Sequence, residues 1–149
     1  MSPVNPSGGR LAAVERYRNL LLLDAVTGVE KQVRTEIRSP LEVAWPGTGL
    51  LAVGYERDVV WCDHETFMPR RTNSFINVNS LQGLAASRSA ARVLRADSGA
   101  NFTLMDSSAG RVLFSWRVDG PGPFRPLALS PEGDRAAARL GDGSVRVWA

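Results

Sequence analysis

The chain has 149 residues, the length of one ordinary domain, and its 44% hydrophobic and 22% charged content is that of a globular protein rather than a disordered or membrane-embedded one. Eighteen basic against fifteen acidic residues leave a net charge of only +3, and the bases are spread from Arg10 to Arg146 without a run of five or six, which argues against a nucleic-acid partner. A single cysteine, Cys62, excludes an intrachain disulfide framework and gives no reason to expect an oxidising compartment.

At the N-terminus, "MSPVNPSGGR" lacks the charged-then-apolar layout of a secretory signal, and the longest apolar run, Leu20 to Leu23, stops at Asp24. These features predict a cytoplasmic protein that does not contact a membrane. Lys31 is the only lysine among the eighteen bases, a bias expected of a GC-rich bacterial genome.

Four stretches align without gaps: "SPVNPSGGRLAAVERYRNLLLLD" (2–24), "LEVAWPGTGLLAVGYERDVVWCD" (41–63), "LAASRSAARVLRADSGANFTLMD" (84–106) and "LALSPEGDRAAARLGDGSVRVWA" (127–149). A period of about 40 residues is the signature of a repeat architecture. Within it, Leu20, Val59, Phe102 and Val145 occupy one column and Leu22, Trp61, Leu104 and Val147 the column two residues on. Positions two apart on a strand share a face, so these eight side chains are expected in the core. A second buried strand is predicted from the columns Leu11, Leu50, Val93, Ala136 and Ala12, Leu51, Leu94, Ala137. Gly8, Gly47 and Gly133 precede it, where a tight turn needs a permissive backbone; Ala90 is the exception. "GDG" at 141–143 predicts a hairpin turn.

Each spacer supplies one more strand. "VEKQVRTEI" is polar enough for an outer edge. "RVLFSWRV" alternates, placing Val112, Phe114, Trp116 and Val118 on one face and Arg111, Ser115 and Arg117 on the other. Four short strands per repeat leave no room for helices of ordinary length.

Four strands in roughly 40–45 residues make the blade of a β-propeller. The last repeat, together with "LDAVTG" (23–28) and "MDSSAG" (105–110), resembles the WD-repeat family, whose Trp-Asp dipeptide and following turn these junctions match. The Trp position holds Leu23, Cys62, Met105 and Trp148; the Asp position holds Asp24, Asp63, Asp106 and then Ala149; and no Gly-His dipeptide occurs in a spacer. The repeats are therefore degenerate, joined by apolar packing more than by a His-Trp network. The expected architecture is all-β: one partial propeller domain over 1–149, an incomplete ring of four-stranded antiparallel blades with the fourth lacking its outermost strand. Such an arc implies either a segment of a longer protein or self-assembly of copies through open blade faces.

Catalytic chemistry is sparse. "WCDHE" (61–65) gathers a thiol, an imidazole and two carboxylates, but a zinc site needs two further ligands and the chain has no other Cys or His. A Cys-His nucleophile pair needs an orienting third group that positions i and i+2 seldom provide. Cys62 is read as a core residue and His64 as a turn residue. Arg70 and Arg71 are read as a solvated outer strand, and Trp45, Trp61, Trp116 and Trp148 as packing residues. No catalytic, metal or cofactor residue is assigned, and no cofactor is expected.

The resemblance implies a non-enzymatic scaffold that binds a protein or peptide; the alternative is a sensor or substrate-gating portion of a larger bacterial signalling enzyme or peptidase. In the family, loops from the outer strand to the next inner strand, with the turns between second and third strands, form one rim. Here that rim is expected to include Arg38, Glu56, Arg57, Asn79 and Gln82. The connection "TNSFINVNSLQG" (72–83) is its longest and most polar part.

Overall fold

In a computed structural model the described residues are 9–15, 19–33, 40–75, 79–120 and 122–149. All regular structure among them is β. Four antiparallel sheets follow one another along the chain. Sheet 1 holds β1 (Arg10–Glu15), β2 (Asn19–Asp24) and β3 (Glu30–Val33); sheet 2 holds β4 (Glu42–Ala44), β5 (Leu51–Gly54), β6 (Asp58–Cys62) and β7 (Pro69–Ser74). Sheet 3 contains β8 (Leu81–Ala86), β9 (Arg92–Asp97), β10 (Asn101–Asp106) and β11 (Arg111–Arg117), and sheet 4 contains β12 (Leu127–Leu129), β13 (Ala136–Arg139) and β14 (Val145–Trp148). Each sheet is an up-and-down meander. The innermost strands β4, β8 and β12 neighbour one another in order, so the sheets stack face to face around their inner edges. The inner strand expected for the first repeat falls on residues 2–7, outside the described residues. No helix among the described residues is long and apolar enough to cross a membrane.

The alternation of each strand explains the stacking. Leu20 and Leu22 of sheet 1 pack on Val43, Leu51, Val53 and Trp45 of sheet 2. Val59 and Trp61, on the opposite face of sheet 2, pack on Leu81, Leu84, Val93 and Met105 of sheet 3. Phe102 and Leu104, on the far face of sheet 3, meet Ala136, Ala138 and the half-buried Trp148 of sheet 4. Each third strand thus points one column to either side of its sheet, as a strand period of two requires, and in sheets 2 and 3 both columns meet a neighbouring sheet. Phe102 is the densest of these contacts, with ring centroids 5.5 Å from Trp116, 5.4 Å from Phe124 and 5.3 Å from Trp148.

Three sequence expectations need correction. Val145 and Val147, expected in the core, are 68% and 64% exposed, because no sheet among the described residues covers the forward face of sheet 4. Val112 does not share a face with Phe114 and Trp116. Leu104 pairs with Phe114 but Met105 pairs with Val112, so a bulge moves Val112 to the Met105 face. Gly47 has no left-handed backbone; its requirement is a close approach, since an added Cβ would lie 1.7 Å from the Arg88 carbonyl oxygen. Gly133, by contrast, does have a positive φ of 71°.

Candidate interaction surface

The hairpins place two sets of connections at opposite ends of the sheets. One end carries the second-to-third strand turns at 55–57 and 98–100 together with residues 75, 79–80, 118–120 and 122–126; the other carries the turns at 45–50, 63–68, 87–91 and 107–110.

At the first end, Glu56 and Arg57 sit in the β5–β6 turn, and backbone bonds tie them to the neighbouring connection. Phe75 N–H donates to the Arg57 carbonyl at 2.8 Å and Leu81 N–H to the Glu56 carbonyl at 3.2 Å. The Ser80 hydroxyl donates to Glu56 Oε1 at 3.1 Å. Asn79 is exposed and lies against Gly99, where an added side chain would strike its amide. Gln82 is half-buried at the start of β8, and its carbonyl accepts a bond from Arg125 Nε. Glu56, Arg57, Asn79 and Gln82 are therefore brought to one end across sheets 2 and 3, while Arg38 lies outside the described residues.

Beneath this end is a group that the sequence reading missed. Arg95, on β9, is fully buried, stacks its guanidinium over the Phe75 ring at 4.5 Å, and faces Asp97 at 3.6 Å. Its Nη2 reaches the Glu56 carbonyl at 3.5 Å, while Nε and Nη1 are buried without an acceptor. Burial pulls the Arg95 pKa down, opposed by the adjacent Asp97 carboxylate. Asp97 in turn holds the β9–β10 turn, accepting from Gly99 N–H at 2.8 Å and Asn101 N–H at 3.0 Å. An Arg-x-Asp pair following the apolar Val93 and Leu94 was the available signal, since such charges are buried only with partners.

At the opposite end the repeated aspartates act locally. Asp24 Oδ1 accepts from Val26 and Thr27 N–H, Asp63 Oδ1 from Glu65 and Thr66 N–H, and Asp106 Oδ1 from the Ser108 N–H and hydroxyl. These turn amides hold the Asp63 carboxyl down at about 2 and lower Asp24; at Asp106 the Ser108 hydroxyl is the main cause. The Asp column is thus a set of turn-forming residues.

The Cys62–His64 pair is separated by burial. Cys62 lies in the core between sheets 1 and 2, where desolvation pushes its thiol up to about 11, the opposite of an activated nucleophile. His64 is exposed in the following turn. On the outer strand β7, Arg70 faces Asp63 at 3.5 Å, and Arg71 donates to the Ala109 carbonyl at 2.7 Å, bridging sheets 2 and 3. Trp45 and Trp61 are buried and Trp116 and Trp148 half-buried, as packing residues.

This stacking of three- and four-stranded meanders is the fold of WD-repeat β-propellers. The chain superposes on the structure of U3-55K with a TM-score of 0.85 at 13% identity, covering 99% of this chain and 47% of that one. The WD40 repeats of RRP9 give 0.85 at 13% identity, covering 99% and 46%, and a chain of the mitotic checkpoint complex gives 0.78 at 18% identity, covering 99% and 49%. The chain spans about half the length of these solved relatives. At the level of sequence, no protein-family profile and no curated protein matches it.

Proposed function

We propose that the chain is a non-enzymatic interaction scaffold, part of a WD-repeat-like propeller, that presents Glu56, Arg57, Asn79 and Gln82 to a protein or peptide. The observation that carries this reading is the fastening of that end. Glu56 is held by Ser80, Leu81 and the buried Arg95, so loop side chains are presented from a rigid base. Mixed charge, with Glu56 beside Arg57, suits a polypeptide better than a phosphate backbone. The likeness to the solved WD40 structures, one of them a complex, supports a scaffold role.

We also propose that copies of the isolated chain associate through the apolar faces at the two ends of the stack. Val145 and Val147 form one of these faces, and the half-buried Leu11, Ala13, Leu21 and Leu23 of sheet 1 the other.

The rim is tested by capturing partners with the unaltered protein, with the double variant Asn79→Ala and Gln82→Ala, and with a control pair at the opposite end, Thr27→Ala and Ser108→Ala. Circular dichroism checks that all three fold. Loss of a captured partner from the first pair alone supports the reading. Equal loss from both pairs, or none from the first, contradicts it.

A further inference from the structure

The outermost strands of sheets 2 and 3 hold the same place in the repeat and differ in what they present. β7 and β11 are each the fourth strand of a four-stranded sheet, and the outer edge of each is unpaired among the described residues. Such an edge offers a row of backbone donors and acceptors to any extended segment, and proteins commonly block it with charge, proline or a bulge. β7 uses all three: Pro69, Arg70 and Arg71, with a bulge where it passes Trp61 and Cys62. β11 keeps the bulge, where it passes Leu104 and Met105, but Val112 stands in place of the proline and Leu113 in place of the arginine after it. These two side chains are 45% and 41% exposed. Sheet 1 guards its outer strand in the same manner as sheet 2, since β3 begins with Glu30 and Lys31.

The face of β11 turned to sheet 2 favours one kind of occupant. Val112 is on that face, paired with Met105, which is buried with Trp61 and Val93 between the two sheets. Leu113 is the extra residue of the bulge, and two positions on, the Ser115 hydroxyl donates to Thr103 Oγ1 at 3.2 Å. Arg117, two further on, shares the face of Ser115. It is exposed and has no ion pair or side-chain hydrogen bond among the described residues. Arg111, at the other end of the strand, faces Asp106 at 3.5 Å. At steps of two residues this flank therefore runs apolar, hydroxyl, unpaired cation.

We propose that the outer edge of β11 docks an extended segment of a partner polypeptide by strand addition, with a carboxylate opposite Arg117, a hydroxyl residue opposite Ser115 and an apolar residue opposite Leu113. Antiparallel pairing, the rule for every pair in sheet 3, puts the carboxylate four residues before the apolar side chain. A basic segment would set like charges opposite one another at Arg117. This edge is separate from Glu56, Arg57, Asn79 and Gln82, so its test is independent of theirs.

The probe is an acetylated, amidated heptapeptide with glutamate second, leucine sixth, threonine third to fifth and serine at both ends, titrated into the isotope-labelled 149-residue chain. Saturable binding is expected, with the backbone amide resonances of residues 113–117 shifted most. Leu113→Arg, which copies the guarded strand of sheet 2 onto an exposed position, is expected to weaken binding about tenfold or more, from lost apolar burial. Lysine in place of the peptide's glutamate is expected to weaken it several-fold. Arg117→Glu, an exposed change, is expected to reverse the preference between the glutamate and lysine peptides. Circular dichroism checks that both variants fold, and should Leu113→Arg fail to fold, the Arg117→Glu reversal decides alone. Absence of saturable binding overturns the proposal, as does binding that ignores the Arg117 reversal or a folded Leu113→Arg. Shifts confined to sheet 4 or to the turn at 55–57 place the peptide on another surface and equally overturn it.

Discussion

Sheets 3 and 4 carry the same repeat columns and meet opposite fates. In sheet 3, Phe102 and Leu104 are 0% and 7% exposed, whereas their counterparts in sheet 4, Val145 and Val147, are 68% and 64% exposed. Local sequence is not the cause, since "VRVW" alternates as well as "NFTL" and valine favours strands. The difference is the neighbour: among the described residues, sheet 3 is covered on both faces and sheet 4 on one. Burial in this fold belongs to the interface between sheets, as expected where each repeat completes its core only against the next.

Substitution of these columns breaks the comparison most sharply. Phe102→Ala removes a ring that touches Trp116, Phe124 and Trp148, and is expected to cost about 3–5 kcal/mol in a denaturant titration. Val145→Thr with Val147→Thr is expected to change stability by no more than about 0.5 kcal/mol per site, because those side chains are already in water. The valine pair should instead alter association. Sedimentation velocity is expected to show the unaltered chain forming larger species as concentration rises, and the double variant doing so less. A single 16.2 kDa species over a wide concentration range would argue against open apolar faces.

Glycines extend the contrast at smaller magnitude. Gly47→Ala forces a methyl into the Arg88 carbonyl where sheets 2 and 3 meet, and is expected to cost about 1–3 kcal/mol or more. Gly143→Ala, in the open β13–β14 turn, meets no atom within 4 Å; only its φ of 87° resists, at about 1 kcal/mol. Thermal melts of the two variants should preserve that order.

The smallest effect is confined to acid. Asp63 is held at about 2 by the amides of Thr66 and Glu65, below its unfolded value of about 3.9. A depressed carboxylate pKa contributes stability above the unfolded value and loses it as pH falls through the folded one. Stability is therefore expected to decline between about pH 4 and 2, with Asp24 and Asp106 shifted in the same direction. Asp63→Asn, which keeps an acceptor but cannot titrate, should flatten part of that decline in acid unfolding curves.

What the sequence carried was periodicity. The β-strand pattern of the four copies, the buried Leu20, Trp61 and Phe102 and the polar outer strand β7 were legible, because a period of two and a repeat of about 40 residues leave a mark on composition. What depends on contact between repeats was not legible. The exposure of Val145 and Val147 and the close approach at Gly47 arise from neighbouring sheets, while the bulge that turns Val112 is a register shift within the β10–β11 hairpin. Of the rim residues, Glu56, Arg57, Asn79 and Gln82 do come to one end of sheets 2 and 3. Arg95, which braces Glu56 from below, gave only the weak signal of a charge beside the apolar Val93, Leu94 and Ala96.

Amide hydrogen exchange tests the neighbour-dependence of burial most directly, measured on the 149-residue chain at a concentration where it is monomeric. Amides of β9 and β10 in sheet 3, covered on both faces, should exchange only through global opening. Those of β14 should exchange through local opening at least about tenfold faster. Protection in β14 equal to that in β9 and β10 would show that sheet 4 needs no neighbour, and would contradict the account.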